Sequence, residues 1–514
     1  MYRILSASKD TYTTDKIINS AYRATDANMG QAGTLDLFKI YDENTLSGQS
    51  DKQTEISRIL LKFDISEITS MNNAGKIDIN DDSFKCLVGL HDVYGGQTTP
   101  ENFELILFPL SKSFDEGSGY DVNSYRDIGT CNFITASYSR GVQTLWARSG
   151  ARASGSLGES DIDVIVSGTL SSPSGPTQYS LSPTQYFESG EENLLIDVTR
   201  IVSGTVSGQI PDHGFLIGFS GSYEQNDKTY FVKRFASRNS SNTAIRPKLI
   251  VKYDDSIQDN HEDFIFDSTG SLYLNNFHFG VPSNILTGES ATELSGENVM
   301  ILKIVSGSFK KTFDVSQALR GNVRLPGVYS SSFSISSFST ESVNGDSLKK
   351  HIEVSGSITF DEIWSSSDET ITYLSSSISV NKNARTAFNN FQQNILVTVT
   401  NLKDTYKPGD VVKIKVFSED RDRPISYTKT PIEKKSQIYH QMFYRVRDFQ
   451  TGDILIDFDT IHGSTKLSTD SSGMYFEFYI DALPRGRTYV FDFLVKKAGF
   501  DTIVTDAASK FRVE

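Results

Sequence analysis

Four phrases in the first half of the chain alternate apolar and polar residues with a period of two, a pattern that extended strands satisfy and helices do not. They are Asp10 to Tyr12, Ser57-Arg-Ile-Leu-Leu-Lys-Phe-Asp-Ile-Ser66, Leu194-Leu-Ile-Asp-Val-Thr199 and Arg246-Pro-Lys-Leu-Ile-Val251. In the second phrase Ile59, Leu61 and Phe63 share an apolar edge while Leu60, Lys62 and Asp64 turn polar, as a half-buried strand requires. Ser66 ends it. In the third, Leu194, Ile196 and Val198 share a face, and Asp197 or Thr199 is placed to accept backbone N–H bonds where a short helical turn through Ile201 and Val202 begins. Pro247 stands at the mouth of the last strand, where a missing N–H costs least. Leu249 and Val251 then share a face.

In this order the phrases resemble the DNRLRE family of β-sandwich modules: an opening extended segment, an R-x-L-L-x-F-D-[LI]-S strand, an a-D-V-T strand end and a closing R-P-x-L-x-V strand. The match extends over about half of the protein. The resemblance implies a jelly-roll sandwich, similar to carbohydrate-binding modules, that binds or builds rather than catalyses.

At 514 residues the chain has room for roughly three domains. The net charge of −14 argues against a nucleic-acid partner, because phosphate neutralisation needs clustered Lys and Arg. The acid is spread along the chain, as on a solvated surface. The first ten residues lack the apolar core of a signal peptide, and no later run approaches a membrane span, so a cytoplasmic origin without a membrane segment is expected. Cys86 and Cys131 are too few for a disulfide framework and read as buried free thiols.

The polar run from Asp254 to Asp263 reads as a linker or exposed connection. A second polar stretch, from Asn381 through Gln393 with isolated Phe388 and Phe391, precedes renewed strand patterning at Ile395 to Val399. The expected domains are therefore 1–256, a jelly-roll-like sandwich; 257–392, a Ser-rich β domain; and 393–514, an immunoglobulin-like sandwich. The fold class expected is all-β, in tandem sandwiches. Met474, Phe476, Phe478 and Ile480 take one face against Tyr475, Glu477 and Tyr479, and Leu483-Pro-Arg-Gly486 supplies a turn before the Tyr489 to Val495 strand. Lys407-Pro-Gly-Asp410 fits a type II turn, and this Y-K-P-G-D turn resembles immunoglobulin-like domains of bacterial and phage surface proteins. In the Ser-rich middle, Phe333 with Ile335 and Ile358 with Phe360 keep the alternation, so polar-faced strands are expected rather than a low-complexity linker. The stretches Gly327 to Phe333 and Ile358 to Ser365 are similar to uncharacterised segments in virion proteins of large tailed bacteriophages.

Catalytic chemistry has no sequence signature here. The histidines at 91, 213, 261, 278, 351, 440 and 462 show no metal spacing and read as ordinary structural or surface residues. No nucleophile elbow, phosphate loop or dinucleotide fingerprint occurs, and no cofactor or metal is expected. Asp78-Ile-Asn-Asp-Asp82 lacks the Gly and distal Glu of an EF-hand and reads as a solvated loop. Asp115, Glu116 and Asp121 give three carboxylates, two of which a glycosidase would set across a cleft, but the resemblance makes this segment an E-G-x-G-x-D turn. Asp420-Arg-Asp-Arg423 reads as a self-compensating exposed cluster. Trp146 is expected in the core; as an alternative, Trp146 with Tyr120 and Tyr125 would form a sugar-binding platform.

Three functions follow as expectations. The first is a non-enzymatic virion structural protein of a tailed phage, in tail, neck or collar, baseplate or head surface, assembling as a homo-oligomer beside other phage structural proteins. The second is a carbohydrate-binding host-adhesion module recognising surface polysaccharide. The third, a depolymerase or lyase with accessory modules, would need a catalytic domain that no segment supplies.

Overall fold

The computed structural model describes the chain except residues 94–98, 125, 127–128, 173–174, 289–290, 321–322, 340–341, 344, 383–393, 422–435, 471 and 498–499. Among the described residues nearly every element is a strand, relieved by short helices such as Ser66–Asn73, Thr199–Val206 and Leu348–Ser355. The protein is all-β. Backbone contacts divide it into two compact units, Arg3–Met71 with Phe84–Lys252, and Met1–Tyr2 with Asn72–Ser83 and Tyr253–Glu514. Three pieces of the expected continuous 1–256 domain, Met1–Tyr2, Asn72–Ser83 and residues 253–256, thus cluster with the other unit. The expected division near 392 lies outside the described residues.

The unit of Arg3–Met71 and Phe84–Lys252 carries an antiparallel sheet in the order Thr184–Phe187, Phe103–Pro109, Phe215–Phe219, Thr54–Phe63, Tyr2–Thr14, Lys248–Lys252, Lys85–Leu90, Leu194–Asp197. Thr34–Tyr41 branches from Thr54–Phe63 and pairs with Tyr230–Ala236. The sheet curls until its two end strands meet. Gln185 joins them, donating from Nε2 to the Asn193 carbonyl at 2.8 Å and accepting the Leu195 N–H on Oε1 at 2.7 Å. The Thr199 helix starts as the sequence indicates: Asp197 Oδ1 accepts the Thr199 N–H, and the Thr199 hydroxyl accepts the Cys86 N–H.

The Thr54–Phe63 strand departs from the half-buried expectation. Leu60 is as completely buried as Ile59 and Leu61. It meets Leu110, Phe114, Trp146, Val164 and Leu216 in a second core. The covering residues come from the long 110–165 excursion, a region with no strong periodicity. Asp163, fully buried, holds part of that cover by accepting the N–H groups of Ala147, Arg148 and Ala153.

Two-sided burial also traps cations, and each is satisfied by loop backbone. Arg58 gives Nη2 to both oxygens of Glu224 and Nη1 to the Gly150 carbonyl. Lys39 donates to the carbonyls of Tyr223 and Asn226 and to the Asn226 side chain. Lys233 reaches Asp92 and the carbonyls of Gly190 and Glu192.

In the other unit a seven-stranded sheet runs in the order Phe264–Ile265, Thr372–Asn381, Ser357–Ser365, Met300–Ser306, Phe309–Arg320, Val323–Ser334, Thr269–Asn275. It too curls. Phe264 from the first strand and Phe333 from the sixth have ring centroids 4.2 Å apart. Phe309, Ile358, Phe360 and Trp364 fill the inside, so the Ser-rich segment is strand, with Ser375, Ser376, Ser377 and Ser379 exposed and Ser331 buried. The last strands form a sandwich of a four-stranded sheet, Ile395–Val399, Val411–Asp420, Gly473–Tyr479 and Ser468–Asp470, and a five-stranded sheet built on Thr488–Lys497. Tyr444 stacks on Phe476 at 4.2 Å across the interior, and Phe476 meets Phe491 edge-on. Lys407 to Asp410 is the expected turn, with Gly409 at φ +86° and the Asp410 N–H bonded to the Lys407 carbonyl. The Tyr489 hydroxyl donates to the Pro484 carbonyl at 2.6 Å, fixing the chain where the strand begins.

The polar run from Asp254 to Asp263 is no exposed connection, since none of its residues is solvent-exposed. It is tied down beside Ser468–Asp470: the Thr469 N–H bonds to the Ile257 carbonyl, and the Thr469 hydroxyl to the Asp259 carbonyl. Its polarity serves partners inside the protein.

Two-sided burial of Thr54–Phe63 sets an expectation for truncation. Leu60→Ala destabilises the protein by about 3 kcal/mol, as Leu61→Ala does. A urea titration of both variants checks this; a Leu60→Ala cost below about 1 kcal/mol would restore the one-sided strand.

Candidate functional site

The aromatic platform does not assemble around Trp146. Its ring is 5% exposed within the second core, and its Nε1 donates to the Asn132 carbonyl at 3.0 Å. Tyr120 is exposed, whereas Tyr125 lies outside the described residues. The fluorophore Trp364 is fully buried as well.

The three glycosidase-like carboxylates are each committed to main chain. Asp115 Oδ2 accepts the Tyr138 N–H, Glu116 Oε1 accepts the Asp10 N–H and pairs with Arg238, and Asp121 Oδ1 accepts the N–H groups of Asn123 and Ser124. Asn28, wholly buried, locks the turn that carries them. Its Nδ2 donates to the carbonyls of Glu116 and Cys131, and its Oδ1 accepts from Gly30 and Gly119. The glycines are a steric necessity: a Cβ on Gly119 would fall 1.9 Å from the Asn28 carbonyl oxygen.

Asp10, beside Glu116, is the acid whose protonation matters near neutrality. Burial pushes its carboxyl up to about 7, against the opposing pull of the Arg238 N–H on Oδ2, and the Glu116 charge adds to the rise. Such a carboxyl fits proton transfer by its pKa. It is only 1% exposed, which keeps a polysaccharide chain away from it.

The loop at Asp78 closes on itself, with Asp78 Oδ1 accepting the Asn80 N–H and Asp81 Oδ1 the Ser83 N–H. Among the described residues no group of three or more His, Cys, Asp or Glu side chains is placed to hold a metal ion. Cys86 and Cys131 are free and buried, and burial raises both thiols.

One histidine is far from ordinary. His261 sits between two carboxylates, with Nδ1 on Asp259 and Nε2 on Glu362 Oε1 at 2.8 Å. Glu362 is fully buried and also accepts the Trp364 Nε1–H at 2.5 Å. Burial alone would lower the imidazole, but the hydrogen bonds and charges of Asp259 and Glu362 outweigh it and raise the ring to about 10. The ring is therefore a cation at neutral pH with both nitrogens occupied. It is a staple between the 254–263 segment and the Ser357–Ser365 strand rather than a general base. Sequence reading missed it because Glu362 lies 101 residues away, a separation that no local spacing rule reports.

One hairpin of the described surface presents a cluster of apolar side chains. The hairpin Phe277–His278 and Val281–Pro282 turns through Phe279 and Gly280 and leaves Phe277, Phe279 and Val281 exposed, Phe279 at 94%. Among the described residues no helix is long and apolar enough to cross a membrane.

No protein-family model and no curated protein matches the chain. Among solved structures it is similar to a titin structure at 10% identity, covering 51% of this chain and 96% of that one with a TM-score of 0.14. The N-terminal Ig1-2 module of the Drosophila receptor protein tyrosine phosphatase DLAR is 9% identical over 51% of this chain and 95% of its own, with a TM-score of 0.13. Likeness at that level carries no functional argument. The all-β assignment rests on strand pairing.

Two measurements follow from this geometry. Both tryptophans resist quenching by iodide, and a soluble glycan leaves their emission unshifted; strong quenching would put Trp146 back at the surface. His261→Gln leaves two buried carboxylates short of their cation and costs about 3–5 kcal/mol at pH 7. Because the folded-state pKa is raised, the His261 contribution is complete below about 6.5 and disappears as pH rises through about 10. The difference in melting temperature between wild type and His261→Gln should shrink over that interval.

Proposed function

We propose that this chain is a non-enzymatic structural component of a tailed-bacteriophage virion, in tail, neck or collar, baseplate or head surface, assembling in multiple copies through its β surfaces. The observation that carries the reading is the closure of its ionisable clusters. His261 holds two carboxylates, Glu116 and Asp121 hold backbone amides, and Asp10 is out of reach of solvent. The surface left over, Ser-faced strand and the Phe279 hairpin, suits contact with other proteins.

The sequence likeness to DNRLRE-type modules and to phage virion segments supports the same reading, as does the net charge of −14, which disfavours binding to packaged nucleic acid. The partners would be other virion proteins and further copies of this chain, held by contacts of at least about 1,000 Å² in total. Trp146, one of the residues named for a sugar platform, lies in the core, so that platform gives the host-adhesion reading no support.

Mass spectrometry of purified particles tests the proposal. The chain should be recovered at a fixed ratio to the major virion proteins, and its absence from particles would overturn the reading. A glycan array probed with the full chain should stay blank.

A further inference from the structure

We infer that the outer edge of the Thr372–Asn381 strand is where a second copy of this chain adds to the seven-stranded sheet. This rests on the assembly reading above and names the contact. On one side the strand pairs with Ser357–Ser365 along its length. On the other it meets only Phe264–Ile265, which pairs with Val380 and Asn381. Among the described residues no strand covers the outer side from Thr372 to Ser379.

The direction of the backbone groups follows from two hydrogen bonds. The Phe266 N–H reaches the Asn381 carbonyl on the outer side, while the Lys382 N–H reaches the Gly356 carbonyl on the inner side. Backbone groups alternate sides with a period of two, so Ser375 and Ser377 turn both N–H and C=O outward. These are donors and acceptors for an incoming strand.

Three other strand edges among the described residues are guarded. At the opposite end of the same sheet, Asn260 bridges Ser271, giving its N–H to the Ser271 carbonyl and taking the Ser271 N–H on Oδ1. Tyr230–Ala236 carries Lys233 and Arg234, and Phe500–Val513 carries Asp501 and Lys510. Residues 370–381, by contrast, contain no charge, no proline and no glycine. Isolated edges avoid that composition because it invites pairing.

A second copy fits this edge for two reasons. Each copy carries a net charge of −14, so two copies approach most easily through a neutral strip, and this edge is one. The strip is also self-complementary. An antiparallel pairing centred on Ser376 sets Ser375 against Ser377 of the other copy and Leu374 against Ile378. The outward-facing serines then exchange about four main-chain hydrogen bonds around a two-fold axis.

Sedimentation velocity of the full chain across about 1–100 μM tests this, that being the range where a modest interface without other support shows itself. Wild type should show a sedimentation coefficient that rises with concentration. Ser377→Pro removes an outward N–H while sparing the inner ladder; it should keep its melting temperature within a few degrees and weaken association at least tenfold. Ser375→Lys with Ser377→Lys, which charges the strip without touching the backbone, should do the same. A wild type that stays monomeric, or lysine variants that associate as wild type does, would overturn the inference. The outcomes also separate it from the virion reading: particles that incorporate the Ser377→Pro chain normally remove the edge contact alone, and edge association by a chain missing from particles removes the virion reading alone.

Discussion

A sheet covered on both faces leaves no water for its charges, and that constraint organises this protein. An ion buried without a partner costs several kcal/mol. In the ten-stranded unit Arg58, Lys39 and Lys233 answer it by gripping the loops that cover them, through Glu224, Asn226 and the 190–192 backbone. In the other unit Asp492 is fully buried and answers it with Arg445 and Arg447, while Glu362 and Asp259 answer it with His261. The cations therefore act as fasteners for segments that would otherwise be loose cover.

How much of this the sequence reveals depends on how far apart the cooperating residues lie. The run from Met474 to Ile480 announces its face because alternate residues are neighbours along one strand, and the Lys407 to Asp410 turn is legible because Pro and Gly restrict the backbone locally. The Asp197 and Thr199 start of the helix is likewise local. Leu60 misleads for the opposite reason: its cover arrives from residues 110–165, so the strand's own alternation understates its burial. The 254–263 run looks like a linker because polarity alone does not distinguish solvent from an internal partner. His261 fails for the same reason, with Glu362 far away in sequence. Trp146 is legible as a core residue, and its neighbours in space place it there, away from the alternative sugar platform.

The same constraint bears on function. A titratable group that holds the fold is poorly placed to pass protons to a substrate, because each change of its charge puts the surrounding structure at risk. Asp10 shows the point most sharply. Its pKa lies where a general acid would want it, yet its oxygen accepts the Arg238 N–H beneath a closed surface. Two exposed features hold no carboxylate, lysine or arginine, the neutral strand edge of residues 372–379 and the apolar hairpin at Phe279, and the proposed assembly draws on both.

The most direct measurement is therefore a search for turnover. Full-length chain incubated with bacterial surface polysaccharides and ester substrates, with products followed by mass spectrometry, should release nothing above the uncatalysed background. Release of product by wild type that is lost in Asp10→Asn, Glu116→Gln or His261→Gln, each confirmed to be folded at the assay temperature, would contradict the account.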